Sequence, residues 1–181
     1  MLKNDLKTAL HDTEILTKAL GFPPFELYLL GGSGGILAGY LTRATRDFDI
    51  VDLDYGSSIG RVLKPLEPYD MIDLDLAVVP PSFKDRAVLL PDFDFLRIYV
   101  LSREDIIVSK LGRLNERDFD DIKIILPQAD LHCIVDLINE VLAGKLLPIA
   151  KKTFINNAIT VMEACDVQDI VQQLKKLRQG A

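Results

Sequence analysis

Between Leu27 and Asp54 the chain reads LYLLGGSGGILAGYLTRATRDFDIVDLD, an order of residue types that few architectures accommodate. An apolar run, Leu27–Leu30, meets a glycine-rich turn, Gly31–Gly35. A helix to about Leu41 follows, and then a second strand over Phe48–Leu53 led in by Asp47. Glycines at the start of a helix let backbone N–H groups approach an anion, and a helix N-terminus favours negative charge. Asp47 and Asp49 are two residues apart, so on an extended chain their carboxylates share a face. A phosphate cradle next to a carboxylate pair suits Mg²⁺-assisted attack on a nucleoside triphosphate.

The rest of the chain supplies a mixed α/β setting. Apolar residues from Leu2 to Leu20 follow a helical period interrupted at Thr13, and Gly21, Pro23 and Pro24 end it. Met71–Val79 alternates, with Ile72, Leu74, Leu76 and Val78 on one face and Asp73 and Asp75 on the other, and reads as a third strand. Arg86–Leu90 and Leu96–Leu101 read as two more. From Ser102 the pattern turns helical. Ser102 with Asp105, and Asn115 with Asp118, have the spacing of capping boxes, and they start helices at Arg103–Leu114 and Glu116–Ile125. Asp130 caps a further helix over Leu131–Leu142, and two more run from about Lys151 to Ala164 and from Asp166 to Leu177. The expected organisation is an α/β core over residues 1–101 and a helical region over 102–181 packed on it.

Several familiar motifs are excluded by spacing. Gly34 and Gly39 have the P-loop interval, but Tyr40-Leu41 follow where Lys-Ser/Thr is required. A dinucleotide fingerprint starting at Gly32 would put its third glycine at Leu37, although Asp52 or Asp54 offers the acidic residue further on. An EF-hand loop fails because Val51 and Asp52 occupy its fifth and sixth positions. Cys133, Cys165, His11 and His132 have no zinc-site spacing, and two reduced thiols in apolar helices are expected. The net charge of −6, from 27 acidic and 21 basic residues, argues against broad charge-driven binding of duplex nucleic acid. The N-terminus lacks the apolar core of a signal peptide, and no apolar run reaches the ~20 residues of a membrane span, so a cytoplasmic protein with no membrane partner is expected.

The glycines alone are equally consistent with a turn that needs positive φ, and the aspartates with a charged sheet edge. Their combination favours a site. A third acidic ligand from a neighbouring strand would complete an oxygen-rich Mg²⁺ or Mn²⁺ site. Asp73 and Asp75 qualify by parity, and Asp75 is preferred because it abuts the apolar run Leu76–Val79.

These elements resemble the nucleotidyltransferase superfamily, the fold shared by polymerase beta-type enzymes. The resemblance rests on Gly32-Ser33, on Thr45-Arg46-Asp47-Phe48-Asp49, and on Asp75 or Asp73. A second block, LSREDIIVSKLGRLNERDFDDIKIIL at 101–126, is similar to the lysine and Arg-Asp-x-x-Asp helix pair of small bacterial nucleotidyltransferases. These include toxin-type enzymes related to abortive-infection systems. The resemblance implies that Gly32 and Ser33 hold the triphosphate and that Asp47, Asp49 and Asp75 are catalytic and bind the metal. It also puts Lys110 and Asp118 or Asp121 at the nucleotide, with Arg117 as a further phosphate contact. The same charges also suit an Arg/Lys–Asp network tying two helices together, since Asp118 and Asp121, like Lys110 and Arg113, share a helix face.

The implied reaction is transfer of a nucleoside monophosphate from an NTP to an acceptor hydroxyl on RNA, protein or a small molecule. A nucleotide- or partner-binding module without turnover, and the toxin of a toxin–antitoxin pair, are the alternatives. The C-terminal stripes Ile155, Ala158, Ile159, Met162 and Ile170, Val171, Leu174, Leu177 are ordinary core faces that could also serve a homodimer.

Overall fold

The alternation of apolar and polar residues after Gly21 does build a sheet. The computed structural model describes residues 1–180. Helix α1 covers Lys3–Ala19, β1 Glu26–Leu30, α2 Gly31–Leu37, β2 Phe48–Val51, α3 Gly60–Leu63, β3 Tyr69–Ile72, β4 Val88–Leu89 and β5 Arg97–Val100. The sheet is mixed, in the order β3-β2-β1-β5-β4. β1 runs antiparallel to β2 and parallel to β5, β2 is parallel to β3, and β4 is antiparallel to β5.

Register decides which side chains share a face. Leu29 lies opposite Ile50 and Val100, and Leu27 opposite Ile98. With Phe48 they form a fully buried apolar face. Helix α2 packs on it against β1, β2 and β5. The approach is close enough that a Cβ on Gly34 would stand 2.6 Å from the Leu29 carbonyl oxygen. Backbone cannot retreat as a flexible side chain can, so Gly34→Ala should cost about 1–3 kcal/mol. A urea melt in which Gly34→Ala matches the parent protein would contradict this packing.

Thr13, which interrupts the apolar pattern of α1, belongs to its buried face with Leu6, Leu10, Glu14 and Thr17. Its hydroxyl donates to the Ala9 carbonyl at 2.9 Å, which satisfies it inside the helix. Burial pushes the Glu14 carboxyl up, but backbone N–H donors from Leu96 and Phe95 outweigh that and hold its pKa below the usual value.

The chain divides into two compact units, residues 1–73 with 85–102, and residues 74–84 with those from 103 onward. The second contains α4 (Arg103–Leu111), α5 (Glu116–Ile125), α6 (Leu131–Ala143), α7 (Pro148–Ala164) and α8 (Gln168–Gly180). Caps expected from sequence form here. Asn115 Oδ1 accepts the Asp118 N–H at 2.9 Å, and Asp130 Oδ1 accepts those of His132 and Cys133. The stripes on α7 and α8 are buried, apart from a half-buried Leu177. Cys133 and Cys165 are half-buried and form no disulfide.

Candidate active site

At the end of β1 the chain turns with Gly31 at φ 59°, a left-handed conformation that suits glycine. The turn has a second requirement. A Cβ on Gly31 would lie 2.1 Å from Asp49 Oδ2, so the carboxylate occupies the space a side chain would need. The Gly32 N–H donates to the same oxygen at 3.2 Å. Ser33 adds a tie from its side chain. It is fully buried, and its hydroxyl donates to the Leu30 carbonyl at 3.2 Å and accepts the Asp49 N–H at 3.0 Å. The glycine turn and the first carboxylate strand are thus one hydrogen-bonded piece. In this arrangement the groups expected to face a triphosphate, the Gly32 N–H and the Ser33 hydroxyl, are engaged by Asp49 and β1.

Asp47 stands one residue before β2, half-buried, and the Thr45 hydroxyl lies 3.4 Å from its Oδ1. Asp47 and Asp49 retain the parity of one strand face. The third strand differs from expectation. It covers Tyr69–Ile72 rather than Met71–Val79, and its last rung is the Asp52 N–H donating to the Ile72 carbonyl. Beyond it, Asp54 turns the β2 side away with φ 58°, so later residues have no strand to pair with. The alternation that suggested a longer strand has a different outcome: Leu76 is 81% exposed.

Asp73 follows the strand end, and Asp75 falls in the second unit. There Asp75 pairs with Lys145 at 3.1 Å, at the rim of a cavity of about 450 Å³ lined mainly by Leu74, Val79, Phe83, Val141 and Leu146. The carboxylate facing Asp49 across the sheet is Asp70, its direct register partner on β3. Adjacent strands are ~4.8 Å apart and parallel partners point the same way, so Asp70 joins the Asp47–Asp49 face. Asp70 precedes the strand expected over Met71–Val79, and only the pairing with β2 reveals it.

In the second unit, Lys110 lies between two carboxylates. Its Nζ is 2.9 Å from Asp118 and 2.8 Å from Asp121, and all three side chains are buried. Arg113 grips Asp118 from the solvent side with two hydrogen bonds, at 2.9 and 3.2 Å. Burial raises the Asp118 pKa, but the bonds from Arg113 and Lys110 outweigh it and hold the carboxyl below its ordinary value. The group ties α4 to α5. The two carboxylate contacts account for two of the three N–H donors of the ammonium.

Residues 14–175 match the family described as a nucleotidyltransferase of unknown function, DUF6036. The chain belongs to this nucleotidyltransferase family. The match begins within α1 and ends within α8, so it spans both the sheet and the helices. No curated protein and no solved structure matches the chain.

For this nucleotidyltransferase-family member, the donor chemistry of the sheet face fits a hard divalent cation, because Asp47 and Asp49 offer only oxygens. Among the described residues no three His, Cys, Asp or Glu side chains stand together as a metal cage. Mg²⁺ at phosphate-transfer sites commonly takes one or two carboxylates and completes its shell with water and phosphates, which two aspartates allow. No helix among the described residues is long and apolar enough to cross a membrane. Ser33→Ala should leave the Asp49 N–H unsatisfied and cost about 1–3 kcal/mol. Urea unfolding checks this, and an unchanged midpoint would show that the tie is dispensable.

Proposed function

We propose that the protein transfers a nucleoside monophosphate from an NTP to an acceptor hydroxyl, using the sheet face of Asp47, Asp49 and Asp70. The observation that supports it most is the Asp49 carboxylate seated in the space left by Gly31 and bonded to the Gly32 N–H. That coupling joins the glycine turn and the Asp-x-Asp strand, on which the resemblance rests, into a single structure. Asp47 and Asp49 would hold Mg²⁺ or Mn²⁺, which when bound offsets phosphate charge and polarises the reacting phosphorus. Asp70, exposed and in register with Asp49, would take the proton of the acceptor hydroxyl. The acceptor oxygen bonds to the α-phosphorus, the bond from that phosphorus to the α,β-bridging oxygen breaks, and pyrophosphate leaves with that electron pair.

Incubation with each α-labelled NTP, Mg²⁺, and total cellular RNA or protein tests the reading. Labelled acceptor together with released pyrophosphate is the expected result. NTP binding without pyrophosphate release against either acceptor pool would replace the reading with that of a binding module.

A further inference from the structure

We infer that Arg43 is a phosphate-contacting residue, reading the polyphosphate tail of the nucleotide at the Gly31–Gly32 pair; this identification of the ligand rests on the nucleotidyl-transfer reading. The two glycines have different neighbours. The space beside Gly31 is filled by the Asp49 carboxylate. A Cβ on Gly32 would instead meet the Thr45 hydroxyl oxygen at 3.0 Å and the Arg43 guanidinium, at 3.1 Å from Nη2 and 3.3 Å from Nη1. Gly32 is thus the position that lets a guanidinium lie against the turn, next to the carboxylate.

The loop that carries Arg43 is held in place. Arg43 Nη1 donates to the Ala44 carbonyl at 2.8 Å. Two residues on, the buried Thr45 donates its N–H to the Met1 carbonyl at 3.0 Å, and the Met1 amino group donates to the Thr45 carbonyl. The guanidinium is presented on a fixed backbone, as anion recognition requires if little ordering entropy is to be lost on binding.

Charge balance gives this cation a task. Asp49 and its register partner Asp70 put two carboxylates on one sheet face, with Asp47 just before β2, and a triphosphate is itself a polyanion. Like charges a few ångströms apart repel strongly, so the tail needs positive charge in addition to a metal. Arg43 lies at the glycine pair itself. A guanidinium is always charged and its planar fork matches two phosphate oxygens, which a lysine cannot reproduce.

Calorimetric titration of the full chain with Mg²⁺ and inorganic tripolyphosphate tests the contact without requiring turnover. The parent protein should bind, Arg43→Ala should weaken binding about 10- to 100-fold, and Arg43→Lys should fall between. Gly32→Ala, which intrudes on both the guanidinium and the Thr45 hydroxyl, should also weaken tripolyphosphate binding. Thermal melts of each variant identify any loss of folding. Should Arg43→Ala not fold, equal affinity of folded Arg43→Lys and parent protein would still overturn the inference. So would equal affinity of Arg43→Ala and the parent, or no tripolyphosphate binding by the parent. Nucleotidyl transfer with unaltered tripolyphosphate affinity in Arg43→Ala refutes Arg43 alone. Arg43-dependent tripolyphosphate binding without transfer from any NTP refutes the transfer reading alone.

Discussion

Asp49→Asn should lower nucleotidyl transfer by on the order of 10³-fold or more, and Asp47→Asn with Asp49→Asn should abolish it. Amide and carboxylate are nearly the same shape, so the substitution mainly removes charge and metal affinity. At Asp49 it has a second consequence. The Gly32 N–H donates to Oδ2, and an amide that turned its NH₂ toward that N–H would meet it donor to donor. Asp49→Asn is therefore expected to lower both the transfer rate and the melting temperature, whereas Asp47→Asn should affect transfer with a smaller change in stability. Label transfer measured alongside thermal unfolding separates the two effects. Wild-type transfer by the double variant would remove these carboxylates from the chemistry. Asp70→Asn is the companion test, and in it a loss of rate with retained NTP binding marks the proton acceptor.

The largest stability effect is expected at Lys110. Lys110→Ala leaves Asp118 and Asp121 buried without the ammonium that bridges them. Breaking a buried pair in this way costs about 3–5 kcal/mol. For a chain of this size that corresponds to a drop in Tm of about 6–20 °C. The pH dependence distinguishes this cause from lost packing. The Asp118 pKa is lowered in the folded protein, so its contribution is fully present above the ordinary carboxylate pKa and is lost as pH falls through the lower folded value. In Lys110→Ala the two carboxylates repel, and protonation relieves that repulsion. The stability gap between parent and variant should therefore be widest near pH 7 and narrow toward pH 4. Urea unfolding at both values measures it, and a gap independent of pH would point to packing alone.

Much of the fold was legible because local rules govern it. The apolar run Leu27–Leu30 becomes a buried strand, Asn115 and Asp118 cap α5, and Asp130 caps α6. Each of these signals lies within a few residues of its effect. The features that escaped depend on partners distant in sequence. Asp70 shares the face of Asp49 only through their register, and Ile72 ends its strand because β2 has turned away. The Ser33 hydroxyl joins Leu30 to Asp49, which lies 16 residues after Ser33, a tie that local spacing does not signal. At Lys110 the sequence allowed either a nucleotide contact or a tie between helices, and the geometry shows the ion pairs of the tie. Arg43 carried no motif signal at all. Its position follows from what Gly32 lacks.

The excursion of residues 74–84 bears on how the molecule can be inherited. After β3 the chain leaves the first unit, contributes this strap to the second, and returns to form β4 before leaving for good at Ser102. The covalent backbone therefore passes between the units at three points. Recombination at the end of the sheet would not deliver a self-sufficient helical module. It would separate Ser82 from Glu140, which accepts both its N–H and its hydroxyl at 2.6 Å, and would deprive the helices of buried Val79 and Phe83. The two units are exchangeable between genes as one cargo, not as two cassettes.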